Sequence, residues 1–236
     1  MYLSFAFNKP ILKKQTIISQ TEENYLKAIF KLSEISDKNI NTNAISEKMG
    51  IAAASVTDML KKLAQKKLIN YEKYYGVTLT ASGKKEALRL IRSHRLWETF
   101  LVDRLKFNWD EVHDMAEELE HIKNDTLTEK LESYLGFPKF DPHGDPIPDV
   151  HGNIAYHEEV TLDKMQVGDT GIIVGVIDHS SDFLKYLNKI QLVLQAKMLI
   201  LDDEEYDKSK HIRINNKSDI VISQKVAGNL IVRKIN

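Results

Sequence analysis

Apolar residues recur at helical spacing from Thr21 to Ser33, where Tyr25, Leu26, Ile29, Phe30 and Leu32 form one stripe. Thr21 is the expected cap, and Glu22 and Glu23 suit the electropositive start of such a helix. Asn41 to Gly50 predicts a short helix from about Thr42, with Ala44, Ile45 and Met49 inward and Gly50 at the left-handed terminus. Residues 52–69 then predict a second helix with Val56, Leu60 and Leu63 on its inner face. Two short strands, Leu68 to Tyr71 and Val77 to Thr80, flank Tyr74-Tyr75-Gly76 as a hairpin. Helix-turn-helix followed by a hairpin wing is a winged helix-turn-helix pattern.

Beyond it, a helix with Ser82 as cap runs to Leu105, a second runs from Asn108 to Ile122, and a third from Thr128 to Leu135. Leu88, Ile91, Leu96, Trp97, Phe100, Leu101 and Leu105 exceed what one face of a helix buries, which predicts a second copy as partner. Residues 137–154 hold four of the five prolines and predict a rigid, extended linker. From Val160 the period becomes that of short strands, with one helix over Phe183 to Leu194. The fold class is a mostly α, multi-domain chain. It comprises a winged helix-turn-helix domain (1–88, with 1–19 a flexible arm), a helical metal-binding and dimerisation domain (89–140), a Pro-rich linker (141–158) and a small all-β SH3-like barrel (159–236).

Charge sharpens this division. Residues 1–88 hold 14 Lys and Arg against 8 Asp and Glu, whereas 89–160 hold 8 against 16. A basic first segment suits a polyanion and an acidic second one suits cations. On the second helix of the motif, Ala52, Ala54, Ser55, Thr57, Asp58, Lys61 and Lys62 fall on the outer face. Small residues there permit close approach to a groove, and lysines further along reach phosphates. With Thr42 and Tyr74 they form the expected DNA-binding surface.

The acidic segment carries the candidate chemistry. His94 and Glu98 are four apart, and His113, Glu117, Glu120 and His121 follow at offsets that share one helical face. The chain has no cysteine, which excludes disulfides and thiolate sites. Carboxylates and imidazoles without thiolate suit manganese, ferrous iron or zinc. No metallohydrolase motif accompanies them, so no enzyme is expected. No apolar run reaches the ~18 residues of a membrane helix, and MYLSFAF lacks the flanks of a signal peptide. A cytoplasmic location without a membrane partner is expected.

The motifs ENYLKAI (23–29), SVTDMLKKL (55–63), GVTLTASGK (76–84), HRLWE (94–98), VHDMAEELEH (112–121) and DPHGDPIP (141–148) occur in this order. Together they resemble the diphtheria toxin repressor family of metal-dependent transcriptional regulators, and most closely its manganese transport regulator branch. The resemblance implies a primary metal site of Asn24, Glu117, Glu120 and His121 and a second of His94, Glu98 and His113, with His179 and Asp182 as further candidates. Asn24 stands where many manganese-responsive members have aspartate; its amide oxygen can ligate but carries no charge. The resemblance further implies a homodimer on a double-stranded DNA operator, repressing metal-uptake genes when Mn2+ binds. Fe2+ is the alternative ion, and Zn2+ could bind in vitro. The alternative function is a constitutive winged-helix protein whose acidic helices serve dimerisation alone.

Overall fold

A computed structural model of the chain describes residues 18–35, 39–73, 75–154 and 159–235. Tyr74 and most of the expected N-terminal arm lie outside the described residues. The chain divides into two compact units, and the boundary between Ala87 and Leu88 falls inside one long helix.

The first unit runs α1 (Gln20–Glu34), α2 (Thr42–Met49), α3 (Ala53–Gln65), β1 (Ile69–Glu72) and β2 (Gly76–Leu79). Ser19, not Thr21, caps α1. Its Oγ accepts from the Glu22 amide at 3.3 Å while Glu22 Oε2 accepts from the Ser19 amide at 2.8 Å. This reciprocal pair satisfies two amides that a helix start leaves open, which Thr21 inside the first turn cannot do. Asn41 caps α2 by accepting from the Ala44 amide, and Gly50 ends it at φ +65°. Leu26, Ile29, Ile45, Val56, Leu60 and Leu63 have no exposed surface and form the core of this unit. The wing pairs Ile69 with Leu79 through Glu72 with Gly76, and Ile40 bridges to Val77 on the other side of β2.

The long helix α4 (Ala81–Asp103) leads into the second unit. Thr80 stands at its start in place of Ser82, with Oγ1 accepting from the Gly83 amide at 3.1 Å. Helix α5 (Val112–Leu119) is shorter than the sequence pattern suggests. Glu111 turns its side chain back on the Asn108 amide at 3.0 Å and closes a separate turn before it. Asn124 accepts from the Leu127 amide and so starts α6 (Asp125–Tyr134) three residues earlier than expected.

Residues 137–154 are not an extended spacer. Asp141 Oδ1 accepts from the amides of His143 and Asp145, and Asp149 Oδ1 accepts from those of His151 and Asn153. Each aspartate builds a turn that its neighbouring prolines tolerate, so the segment folds back instead of stretching. Ile147 then packs with Leu96 and Leu131, and Gly152 sits against Leu88. Leu88, Ile91, Leu96 and Leu101 are all buried within the chain. Of the seven residues expected to form surplus apolar surface, Trp97 and Phe100 are half-buried and Leu105 is exposed, and Phe107, Ile122, Leu127, Tyr134 and Phe137 add further exposed apolar surface.

After β3 (Val160–Thr161) and a 3-10 turn (Leu162–Lys164) come β4 (Thr170–Val176), α7 (Ser181–Lys189), β5 (Lys197–Asp203), β6 (Lys210–Ile214), β7 (Ser218–Ile222), α8 (Gln224–Gly228) and β8 (Leu230–Ile235). They form one antiparallel sheet in the order β3-β8-β4-β5-β6-β7. The region is not all-β. Ser223 caps α8 by accepting from the Val226 amide, which turns into a helix a stretch whose composition suggests a strand. Among the described residues no pairing of β3 with β7 closes the sheet into a barrel. One face of the sheet and the two helices enclose a core that includes Leu162, Ile173, Leu184, Leu187, Ile212 and Val232.

Candidate metal centre and DNA-facing helix

Helix α4 places His94 and Glu98 one turn apart, and α5 brings His113 to the same point. Glu98 is 1% exposed. Its Oε1 lies 3.1 Å from His94 Nε2 and 3.2 Å from His113 Nδ1. Its Oε2 faces His143 Nδ1 at 3.5 Å. A buried carboxylate thus meets three imidazoles. Donor atoms of His94, Glu98 and His113 lie within 4.8 Å of one another, as do those of Glu98, Asp141 and His143.

Asp141 and His143 were absent from the sequence-based site. The turn at 141–145 delivers them, and the available signal is the Asp-Pro-His-Gly pattern, which opens the DPHGDPIP motif of the resemblance and lies in the expected linker. Arg95 fastens that turn to α4 through Asp145 at 2.8 Å, the Pro146 carbonyl and, at 3.6 Å, Asp141. His143 is fully buried. Its ring stacks between Trp109 (6.0 Å between centroids) and His179 (4.8 Å). Its Nε2 donates to the Trp109 carbonyl at 2.7 Å, while Nδ1 faces the Glu98 carboxylate. One nitrogen held by a carbonyl with the other turned into a carboxylate cluster is how proteins present a metal-ligating imidazole. The donor set therefore fits a divalent cation.

The other expected residues join this centre unevenly. His94 Nδ1 contacts Glu120 Oε2 at 2.6 Å, and Glu120 is fully buried. His121 Nε2 lies 3.8 Å from Glu120 Oε1, and His113 Nε2 lies 3.7 Å from Glu117 Oε1. Both imidazoles of the second set thus touch a carboxylate of the first. Asn24 sits on α1 in the other unit, with Oδ1 buried and without a hydrogen-bond partner. His179 approaches the centre as a ring stacked on His143, its Nε2 bonded to the Val176 carbonyl at 3.1 Å. Asp182 is exposed in the first turn of α7.

Charge in the centre is divided in a definite way. Burial pushes the Glu98 carboxyl up, but hydrogen bonds from His113, His143 and His94 outweigh it and hold it well below the usual range. Burial disfavours the His143 imidazolium, yet its hydrogen bond to Glu98 and the charges of Glu98 and Asp141 raise it to about 9. Asp141 is pushed up to about 7 by burial and by the charges of Asp145 and Glu98, against Arg95 and His143. A cation must displace these protons. Metal affinity should therefore rise with pH across this range. Manganese titrations between pH 6 and 8 check this; an affinity that ignores pH would contradict the donor set.

On α3, Ala52, Ala54, Ser55, Asp58, Lys61 and Lys62 are exposed and Thr57 is half-buried; Thr42, the first residue of α2, is half-buried as well. The two lysines differ in surroundings. Lys61 pairs with Asp58 on the open surface at 3.0 Å, while Lys62 leans towards Glu22 at 3.5 Å. Such an exposed pair is weak and yields readily to a phosphate. Lys61→Ala should weaken DNA binding on every sequence and reduce the salt slope by about one; an unchanged slope would exclude a phosphate contact there.

Three family models match in succession. They are the iron dependent repressor N-terminal DNA binding domain over residues 18–77, the iron dependent repressor metal binding and dimerisation domain over 80–149, and the FeoA domain over 160–234. A solved manganese-dependent transcriptional repressor in complex with manganese is 34% identical, with a TM-score of 0.82 over 91% of this chain and 100% of that one. The chain belongs to the diphtheria toxin repressor family. It lies in the family's manganese branch and is a metal-dependent DNA-binding regulator, not an enzyme.

The diphtheria toxin repressor of Corynebacterium efficiens is 25% identical over 206 residues, spanning 86% of this chain and 84% of its own. A probable metal transport system membrane protein of Chlamydia trachomatis is 48% identical over 71 residues, 30% of this chain and 16% of its own length. Among the described residues no helix is long and apolar enough to cross a membrane.

Proposed function

We propose that this member of the family is a manganese-responsive repressor that acts in the cytoplasm as a homodimer on an operator controlling metal uptake. The observation that carries the reading is Glu98, a buried carboxylate met by three imidazoles in a chain without cysteine. Oxygen and nitrogen donors of this kind suit Mn2+, with Fe2+ the alternative and Zn2+ a competitor in vitro. The likeness of one segment to part of a metal transport protein supports metal uptake as the regulated process.

His94, Glu98 and His113, joined by Asp141 and His143, would form one ligand set. Glu117, Glu120 and His121, with the amide oxygen of Asn24, would form the other. His179 would brace the His143 ring, and Asp182 would be a ligand only from an outer position. A divalent cation supplies positive charge that carboxylates and imidazoles from separate segments can share. Asn24, a residue of the DNA-binding unit, would thereby be tied to α5. The two recognition helices of a dimer must match half-sites about one helical turn apart or a multiple of it. Fixing α1 therefore favours the spacing that DNA requires, and by linkage DNA raises metal affinity by the same factor.

Glu120→Ala and His121→Ala should each abolish the manganese dependence of DNA binding while leaving the dimer intact by sedimentation. Either variant retaining metal-dependent binding would contradict the assignment of the set that contains Asn24.

A further inference from the structure

The N-terminal unit contains an ion cluster, built on one buried carboxylate, that the metal-binding reading does not use. Glu22 lies in the first turn of α1 and is 1% exposed. Its Oε2 accepts from two donors at 2.8 Å, the Ser19 amide and Lys66 Nζ. Its Oε1 faces Lys62 Nζ at 3.5 Å and makes no hydrogen bond. Lys62 belongs to α3 and Lys66 is its C-terminal cap residue. One carboxylate therefore fixes the start of α1 through Ser19 and the end of α3 through Lys66. Two residues on, in the same turn of α1, Asn24 holds its buried and unpartnered amide oxygen.

This arrangement exceeds what a helix cap requires. A capping box needs the carboxylate to reach only its own N-cap amide. Here the same oxygen also takes an ammonium from another helix, and both partners are geometrically committed. A buried carboxylate is tolerated only when it is paired and hydrogen-bonded, so α1 cannot shift its first turn without displacing Lys66 or stranding a charge. The turn that carries Asn24 and the helix that carries the DNA-facing residues consequently move together.

We propose that Glu22 is the positioning residue that couples the metal-responsive turn of α1 to the recognition helix α3, acting through Lys66 and Lys62. The proposal rests on the reading that Asn24 takes part in the metal response. Among the described residues Glu22 meets Ser19, Lys62 and Lys66, and through them it transmits the position of one helix to the other.

The test compares the full-length protein with Glu22→Gln, Lys66→Gln and the double variant. The probe is one duplex, selected from a random-sequence pool by the wild-type protein in manganese. Its affinity is measured with Mn2+ and with a chelator, and the ratio of the two is the readout. A ratio discounts any general loss from removing a cation near DNA. The expected wild-type ratio is within the range usual for coupled sites, about 5- to 150-fold. It should fall to near one in both single variants, and the double variant should be no worse than either, because the residues act as one pair. In metal-free protein, amide exchange over residues 20–24 should quicken by about ten-fold in both variants.

If Glu22→Gln fails to fold, Lys66→Gln decides the matter, since the Lys66 side chain is 25% exposed. A wild-type ratio preserved in the folded variants overturns the proposal and leaves the metal reading intact. So does an equal loss of affinity with and without metal, the signature of a merely structural role. A wild-type ratio of one overturns the metal reading and the coupling role together.

Discussion

Glu98→Gln will remove at least two powers of ten from manganese affinity and will destabilise the metal-free protein by about 3 kcal/mol at pH 6. Both effects follow from the carboxylate at the centre. Glu98 is the residue common to both donor clusters, and it carries the negative charge that three imidazoles face. Substituting partners that only orient a ligand already costs 10- to 100-fold in other metal sites, so loss of a shared ligand sets a floor above that. The glutamine keeps the shape and one carbonyl acceptor but takes away the carboxylate that His143 Nδ1 faces and that His94 and His113 share. Removing one member of a buried pair costs about 3–5 kcal/mol.

The sign of the pH dependence is fixed by His143. Its folded pKa is raised to about 9, so its contribution is fully present below the unfolded histidine value, about 6.5, and is lost as pH rises through about 9. The contribution of Glu98 runs the other way and disappears only as pH falls through its depressed value. Urea denaturation should therefore show the full deficit of the variant at pH 6 and a much smaller one at pH 9.5. Equal deficits at both values would mean that Glu98 acts by packing and not by charge.

Gly144→Ala will unfold the turn that delivers Asp141 and His143. The residue has φ +90°, and an added Cβ would lie 2.0 Å from the Val174 carbonyl oxygen and 2.4 Å from Gly175 Cα. Both obstacles are backbone, so no side-chain rotation relieves them. The turn is tied to β4 at this point, with the Val176 amide donating to the His143 carbonyl at 3.0 Å. Left-handed strain and a backbone clash together should cost about 3 kcal/mol or more. If the chain still folds, it does so with the turn displaced, and manganese affinity falls with it. The stack of Trp109 on His143 makes tryptophan fluorescence a direct report on that displacement. An alanine variant with wild-type stability and fluorescence would show that the turn can relax, and would remove rigid delivery from the account.

Much of this was legible in the residues, for identifiable reasons. Helical periodicity marks α3 because it buries one stripe, whereas α1 from Tyr25 to Phe30 and most of α4 from Ala87 to Thr99 are buried on nearly every side and show as apolar-rich helices. Val56, Leu60 and Leu63, chosen by spacing, have no exposed surface. His94, Glu98 and His113 converge because i, i+4 spacing on α4 and the short connection to α5 leave them little choice. Local pattern could not decide which of two nearby polar residues caps a helix. Ser19 acts through a reciprocal pair with Glu22, and the Thr80 hydroxyl also donates to the Leu68 carbonyl before β1, bonds that single positions do not advertise.

The segment 137–154 was misread for a physical reason. Proline content suggests extension, yet Asp141 and Asp149 supply side-chain acceptors that fold it into turns. Asp141 and His143 were hidden because their partner Glu98 lies more than 40 residues earlier. The role of Glu22 was hidden in the same way. As a sequence it is a good first-turn acid, and only the fold brings Lys66 to it.

Control of DNA binding by metal occupancy is open to measurement. Its most direct test is selection of duplexes from a random-sequence pool by the full-length protein, run in parallel with Mn2+ and with chelator, followed by affinity measurement on the winning sequence. A duplex with paired half-sites should emerge only in manganese and be bound at least about ten-fold more tightly with the ion than without it. The same duplex emerging in chelator, with equal affinity in both conditions, would contradict it and leave a winged-helix protein that binds DNA regardless of metal.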